Sequence, residues 1–405
     1  MRHRIRKCEF VQGDEINRFC CRSSGVLTAL LLAVMAVNSH AADTPPKLAP
    51  SRIVSLNQCF SDQARPTLHQ SGFVLAKLAF DHDGNLWTGY ITGSPQLNSR
   101  ISPVPDHKYN VVEFSSTPLM CEVRIQLPTV ANSPVGVLFS NKNSMLVVAD
   151  NKLHLIDSTE LKEKATFGLL LTESEGWYQV LQSPKRKYLI VTKDNGASGS
   201  GSITWLNPDT LEVTKLCPYD FGKEHYVKFR SFADDGRFIE VEHGPGVDGH
   251  QVSGGQYCSR QGHHEYPSGM QPTSAIALED ETAYFSSDSP NDHAAIASIY
   301  SRVGALLRNV PSKGRETLGH AGVTISEDGR RVAFEVEHWS GGLQSLDISS
   351  HVSSRRVDVY DSKTWECVAQ VEEQAQAAVD LALSPDGKIL AVESADTIQL
   401  FDQLP

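Results

Sequence analysis

One phrase recurs along the chain: an apolar strand pattern, a polar turn usually holding Asp-Gly, and a second apolar strand pattern. Clear copies run over Leu78–Tyr90 (LAFDHDGNLWTGY), Arg230–Glu242 (RSFADDGRFIEVE), Thr324–Val336 (TISEDGRRVAFEV) and Leu381–Glu393 (LALSPDGKILAVE). Looser copies run over Val137–Ala149, Val180–Thr192 and Ile276–Ser287. Successive turns begin at Asp81, Ser140, Ser183, Ala233, Glu279, Ser326 and Ser384, at intervals of 43 to 59 residues. Period-two alternation with turn residues at its ends marks β-hairpins. A repeat of roughly 40–50 residues is the length of one four-stranded propeller blade.

Several copies continue into a third strand and a second turn, as in Leu153–Leu161 (LHLIDSTEL), Ile203–Leu211 (ITWLNPDTL) and Val357–Trp365 (VDVYDSKTW). Asp157, Asn207 and Asp361 open these turns, where a short side chain can accept a backbone N–H. The four strands are designated a to d from the axis outward. Seven a–b turns predict an all-β, seven-bladed β-propeller of four-stranded blades over residues 51–405. The last copy ends after its third strand, Thr397–Asp402, while a spare strand, Arg52–Gln58, stands near the other end. The N-terminal strand is therefore expected to complete the last blade and close the ring, removing an exposed edge.

Ser384-Pro385-Asp386-Gly387-Lys388-Ile389-Leu390-Ala391 resembles the repeat phrase of the WD40-like/YVTN bacterial propellers. Ser326-Glu327-Asp328-Gly329-Arg330-Arg331-Val332-Ala333-Phe334 resembles its PD40 variant, known from TolB-type proteins. The Gly-His…Trp-Asp signature of eukaryotic-type repeats is absent. The resemblance implies a fold, not a task, because such propellers serve as binding platforms, lyases, lactonases and redox-enzyme subunits.

Ahead of the repeats, six Arg/Lys residues precede the apolar run Gly25–Val37, and small residues Ser39 and Ala41 follow it. This pattern predicts a signal peptide over residues 1–41 and a periplasmic or secreted mature protein. The run is too short to span a bilayer comfortably, so no membrane insertion is expected after cleavage, the alternative being an uncleaved anchor. Residues 42–50 read as a Pro-rich linker with no core to join. The net charge is −11 for the whole chain and −14 without the leader, which excludes the basic footprint of a nucleic-acid binder. Cys59, Cys121, Cys217, Cys258 and Cys367 remain after cleavage. Most read as small buried apolar residues, and a Cys217–Cys258 bridge is left open, since spacing alone does not fix pairing.

Two motifs dissolve on inspection. Asp81-His82-Asp83-Gly84-Asn85 begins like a calcium loop but occupies the a–b turn, with no acidic ligand downstream. The Gly/Ser run from Asn195 to Ser202 lacks the Lys-Ser/Thr of a phosphate-binding loop. The informative features are the long connections Asp194–Ser202, His243–Gln256, Asp288–Ala294 and Glu337–Arg355, all assigned between strands b and c. Function is expected where length has been added to a minimal repeat. Histidines concentrate there and on d–a connections, and the expected binding residues are His243, His250, His263, His264, His338 and Trp339. Trp339, followed by Ser-Gly-Gly, is the best candidate for an exposed recognition side chain, with packing under the loop as the alternative.

The leading expectation is a monomeric, non-catalytic propeller that binds a protein partner or small ligand on its b–c face, without a cofactor. Histidines beside carboxylates can also hold zinc or copper, or move protons. The alternative is therefore a metal- or His-dependent lyase or hydrolase, or the heavy subunit of a periplasmic amine-dehydrogenase-like enzyme.

Overall fold

The computed structural model describes residues 45–56, 78–92, 108–116, 119–128, 136–140, 144–169, 177–194, 200–220, 226–234, 238–243, 251–255, 264–265, 272–286, 295–301, 304–313, 316–340, 351–372, 380–394 and 397–405. Two short strands, β1 (Lys47–Leu48) and β2 (Arg52–Ser55), lead into a succession of antiparallel sheets. The first comprises β3 (Leu78–Phe80), β4 (Leu86–Thr92), β5 (Lys108–Ser116) and β6 (Leu119–Pro128). The second comprises β7 (Gly136–Phe139), β8 (Met145–Ala149), β9 (Lys152–Ile156) and β10 (Glu163–Gly168). β11 (Trp177–Gln182), β12 (Leu189–Asp194), β13 (Ser200–Leu206) and β14 (Val213–Asp220) form the next. Then come β15 (Tyr226–Phe232), β16 (Phe238–His243), β17 (Gln251–Gly255) and β18 (His264–Glu265). β19 (Pro272–Ala277), β20 (Glu281–Ser286), β21 (Ala295–Ser301) and β22 (Leu306–Pro311) follow. β23 (Glu316–Ile325), β24 (Arg331–Ser340), β25 (His351–Asp361) and β26 (Cys367–Glu372) make a sheet with unusually long strands. β27 (Asp380–Leu383), β28 (Leu390–Glu393) and β29 (Thr397–Phe401) end the chain.

The expected blade count requires correction. The structure has six four-stranded blades, not seven; the remaining sheet, β23–β26, carries β1 as a fifth strand. β1 adds in parallel, Lys47 opposite Gln370 and Leu48 opposite Val371, and Gln370 N–H donates to Pro46 O. Leu48 packs beside Val357, Val371 and Leu381. The segment read as a linker therefore does join a core. Its one apolar side chain between prolines suffices, because an open sheet edge offers backbone partners regardless of sequence. β2 pairs antiparallel with β29, Arg52 opposite Leu400, and so gives the sheet of β27–β29 its outer strand.

Each sheet packs on the next, and the sheet of β2 and β27–β29 packs on that of β3–β6 through Val54, Leu78, Phe114 and Ile398. The second strand of a blade is covered on both faces, so it loses strict alternation: Met145–Ala149 is buried throughout, as is Leu390–Glu393. This is the continuous apolar run expected of a strand with no solvent face.

The repeat phrase has a physical origin in its turns. Where a copy begins with Ser or Asp, that buried side chain accepts backbone N–H groups from the far side of the turn. Ser326 Oγ takes Arg331 N–H at 3.0 Å, Ser384 Oγ takes Ile389 N–H at 2.9 Å, and Asp81 takes Asn85 N–H at 2.8 Å. Asp81 also accepts the Trp87 indole N–H, which settles this segment as a turn. At the opposite end of the strands, Asp157 Oδ1 accepts Thr159 and Glu160 N–H, and Asp361 Oδ1 accepts Lys363 and Thr364 N–H. Lys164 and those backbone N–H groups pull the Asp157 carboxyl down to about 2.

Candidate functional site at the extended end of the β24–β25 hairpin

In a four-stranded blade the b–c connection and the d–a connection emerge on one face, opposite the a–b and c–d turns. The longest b–c pair of strands is β24–β25, whose ladder runs from Arg331–Asp361 to Ser340–His351. Much of the segment expected to be a loop, residues 337–355, is thus paired strand; only residues 341–350 join the two. The sequence Glu-His-Trp-Ser-Gly-Gly reads as a loop because of its glycines. Cross-strand pairs such as Glu337–Arg355 hold the strands together up to them.

β24 alternates sharply. Val332, Phe334 and Val336 pack toward the β19–β22 sheet, while Ala333 packs toward β27–β29. Glu335 and Glu337 continue the Ala333 face and are both buried. Burying carboxylates is costly unless they are paired and hydrogen-bonded. Arg355 Nε lies 3.1 Å from Glu337 Oε1 and 3.9 Å from Glu335 Oε1, and Ala321 N–H donates to Glu335 Oε2 at 3.1 Å. Room for Glu335 comes from a missing side chain: a Cβ on Gly319 would stand 2.3 Å from its Oε2 and 2.5 Å from Cδ. Gly319 lies where the β23–β24 register slips between Leu318 and Val323.

A second network occupies the other face of the blade. Arg356 Nη1 meets Glu316 Oε1 at 2.5 Å and Arg356 Nε meets Asp358 Oδ1 at 2.8 Å. Gln370 Nε2 donates to Asp358 Oδ1, and Lys313 N–H to Glu316 Oε2. The two acids respond differently. Burial works against the Glu316 carboxylate, but Arg356 and Lys313 N–H outweigh it and hold it below its ordinary range. Burial dominates at Asp358 and pushes it up despite Arg356.

The expected site residues fall in three places. His338 and Trp339 lie in β24 at this end, both half-buried, His338 opposite Glu316 and Ser354. Trp339 is half-buried, and its indole N–H donates to Thr317 Oγ1 at 2.9 Å, anchoring the ring on β23. His243 ends β16 opposite Tyr226, in a sheet separated from β23–β26 by β19–β22. His264 stands in β18 opposite Gly254, which pairs with Ile239, four residues along β16 from His243. At strand rise that is roughly 13 Å, so the two do not converge. Placing His243, His264 and His338 on connections is therefore corrected: all three are strand residues. His250 and His263 lie outside the described residues. Among the described residues, no group of three or more His, Cys, Asp or Glu is placed to hold a metal ion.

Glu316, Glu335, Arg355, Arg356 and Asp358 were not singled out from the sequence. The available signal was a strand, Val332–Glu337, with acids at alternate positions of an otherwise apolar pattern, answered by Arg355-Arg356. Cys121 and Cys217 are disulfide-bonded, and Cys367 is a free thiol.

No family model and no curated protein matches the sequence. Among solved structures, the chain is similar to one in a crystal structure of the mitotic checkpoint complex, with a TM-score of 0.51 and 10% identity over 98% of this chain and 99% of that one. Also similar is the C-terminal WD40 domain of Sif2, with a TM-score of 0.48 and 12% identity over 89% of this chain and 99% of that domain. The fold is a WD40-like β-propeller.

Proposed function

We propose that this chain is an exported, non-catalytic propeller that binds a protein partner through the b–c side of its β23–β26 sheet. The observation that carries the reading is the β24–β25 hairpin, which extends its sheet at that end and presents His338, Trp339 and Ser340 half-exposed on a charged base. A rigid strand pair displays side chains at lower entropic cost than a loop of equal length. Anchoring Trp339 on Thr317 fixes an aromatic body at the rim, the type of residue that dominates interface energetics. The similar chain of the mitotic checkpoint complex works within a multi-protein assembly, in keeping with a platform role. Export is supported by the Arg-rich leader with its apolar run, and by two disulfide-bonded cysteines, which persist in oxidising compartments. The reading calls for no cofactor.

The test is to replace His338, Trp339 and Ser340 with alanine and measure co-isolation of partners from the exporting cell. Loss of a discrete partner at an unchanged unfolding midpoint supports the reading. Retention of every partner refutes it, and retention of a small-molecule thermal shift instead points to a ligand.

A further inference from the structure

The opposite face of the ring carries a residue that breaks the repeat's own rule. In three a–b turns the position with positive φ is glycine: Gly84 at 83°, Gly329 at 72° and Gly387 at 68°. In the β11–β12 turn the same position is Arg186, at φ 55°. The equivalence is structural, since the N–H at each position donates back to the first residue of its turn: Arg186 to Ser183, Gly329 to Ser326, Gly387 to Ser384 and Gly84 to Asp81. A residue with a Cβ is disfavoured in this conformation, and such strain persists only where surrounding contacts over-determine it.

Those contacts reach across the ring. Arg186 Nη2 donates to Phe80 O at 2.7 Å, at the end of β3. Its Nε lies 3.2 Å from Glu327 Oε2 in the β23–β24 turn, and its guanidinium lies 5.8 Å from the Phe139 ring centroid at the end of β7. The side chain is only 11% exposed. Along the chain, the sheets of β15–β18 and β19–β22 stand between the Arg186 sheet and the Glu327 sheet, so this ion pair spans the axis. Neighbouring residues extend the junction. Lys185 N–H donates to Asp234, Lys185 Nζ lies 3.4 Å from Glu279, and His82 Nδ1 lies 3.7 Å from Glu327 Oε1.

We propose that Arg186 is an axial tie that locks opposite sheets of the ring together at the a–b end. Adjacent blades are held by apolar packing, but a ring can still splay by small concerted shifts. A buried, planar cation at the centre opposes this, because any widening of the ring separates it from Phe80 and Glu327 together.

Arg186→Gly separates this role from a local one. Glycine adopts φ 55° without penalty, so a residue serving only the turn would leave the protein as stable or more stable when replaced. The tie predicts a thermal midpoint lower by about 3 °C or more. It also predicts at least ten-fold faster hydrogen exchange at the Asp81 and Ser326 amides, in turns far from position 186 in sequence, with β9 amides unchanged. Glu327→Gln, which keeps the shape, should likewise speed exchange at the Ser183 and Arg186 amides, and carries the test if Arg186→Gly does not fold. An unchanged or raised midpoint in Arg186→Gly overturns the proposal. So does faster exchange confined to the turn that carries the substitution.

Discussion

Gly319→Ala probes the arrangement that admits a buried carboxylate to the β23–β26 sheet. The added Cβ would lie 2.3–2.5 Å from Oε2, Cδ and Cγ of Glu335, well inside contact distance. Glu335 is fully buried, so its side chain has no solvent to retreat into. Restoring a normal contact requires a shift of about 1 Å, which breaks the hydrogen bond from Ala321 N–H. Hydrogen bonds to charged groups contribute about 1.5–3 kcal/mol, and overpacking a filled interior costs about 1–3 kcal/mol. Allowing for partial relaxation, Gly319→Ala should destabilise the protein by about 2–4 kcal/mol, measured by urea unfolding at constant m-value. The cause is separable by a double-mutant cycle. In a Glu335→Ala background the clash disappears, and the same substitution should cost less than about 1 kcal/mol. A cost below about 0.5 kcal/mol in the parent, or equal costs in both backgrounds, would show that Gly319 does not make room for Glu335.

Removing residues 51–56 strips β2 from β29 and takes two buried side chains, Val54 and Leu56, out of the core. This should cost about 3–6 kcal/mol and promote association through the bared edge. A truncated chain that stays monomeric in light scattering, with its midpoint unchanged, contradicts this. Because Glu316 is held below its ordinary value of 4.5, its contribution to stability is present above that pH and is lost as pH falls through the lowered value. The parent should therefore lose urea midpoint more steeply than Glu316→Gln below pH 4.5; parallel curves count against the Arg356 pairing. Burial and Asp358 push the Cys367 thiol up to about 12. In the native protein it should react with iodoacetamide at pH 8 at least about 100-fold more slowly than an unfolded-chain cysteine, as read by mass spectrometry. Equal rates would place the thiol in solvent.

What could be read from the sequence was whatever repeats. The a–b turn phrase was legible because each copy solves the same local problem, a tight hairpin with a buried oxygen accepting backbone N–H groups, as Ser326 and Ser384 do. Features that occur once were harder to see. Leu48 joins an edge through backbone groups that carry no side-chain signature, so β1 was invisible and the sheet inventory came out wrong. The β24–β25 extension was hidden because glycines after Trp339 suggested an early strand end, while the stabilising partners, His351, Val352, Ser354 and Arg355, lay beyond them in the sequence. Histidine enrichment drew attention to residues on separate sheets. The carboxylates that cluster on β23–β25 were passed over as ordinary charged positions, since burial depends on neighbours that no local window contains. Arg186 was legible in principle, as a long side chain at a position that is glycine in other copies of the repeat, but only once the turns are superposed by their hydrogen bonds.

On the proposed function, partners bind the extended b–c end of the β23–β26 sheet. Site-specific photocrosslinking in the cell, with a photoreactive amino acid at Ser340 and, separately, at Asp386 in the a–b turn of the β27–β28 hairpin, tests this. A discrete, reproducible protein adduct is expected from position 340 and none from position 386. Adducts arising only from position 386, or none from position 340 in a protein shown to be folded, would contradict it.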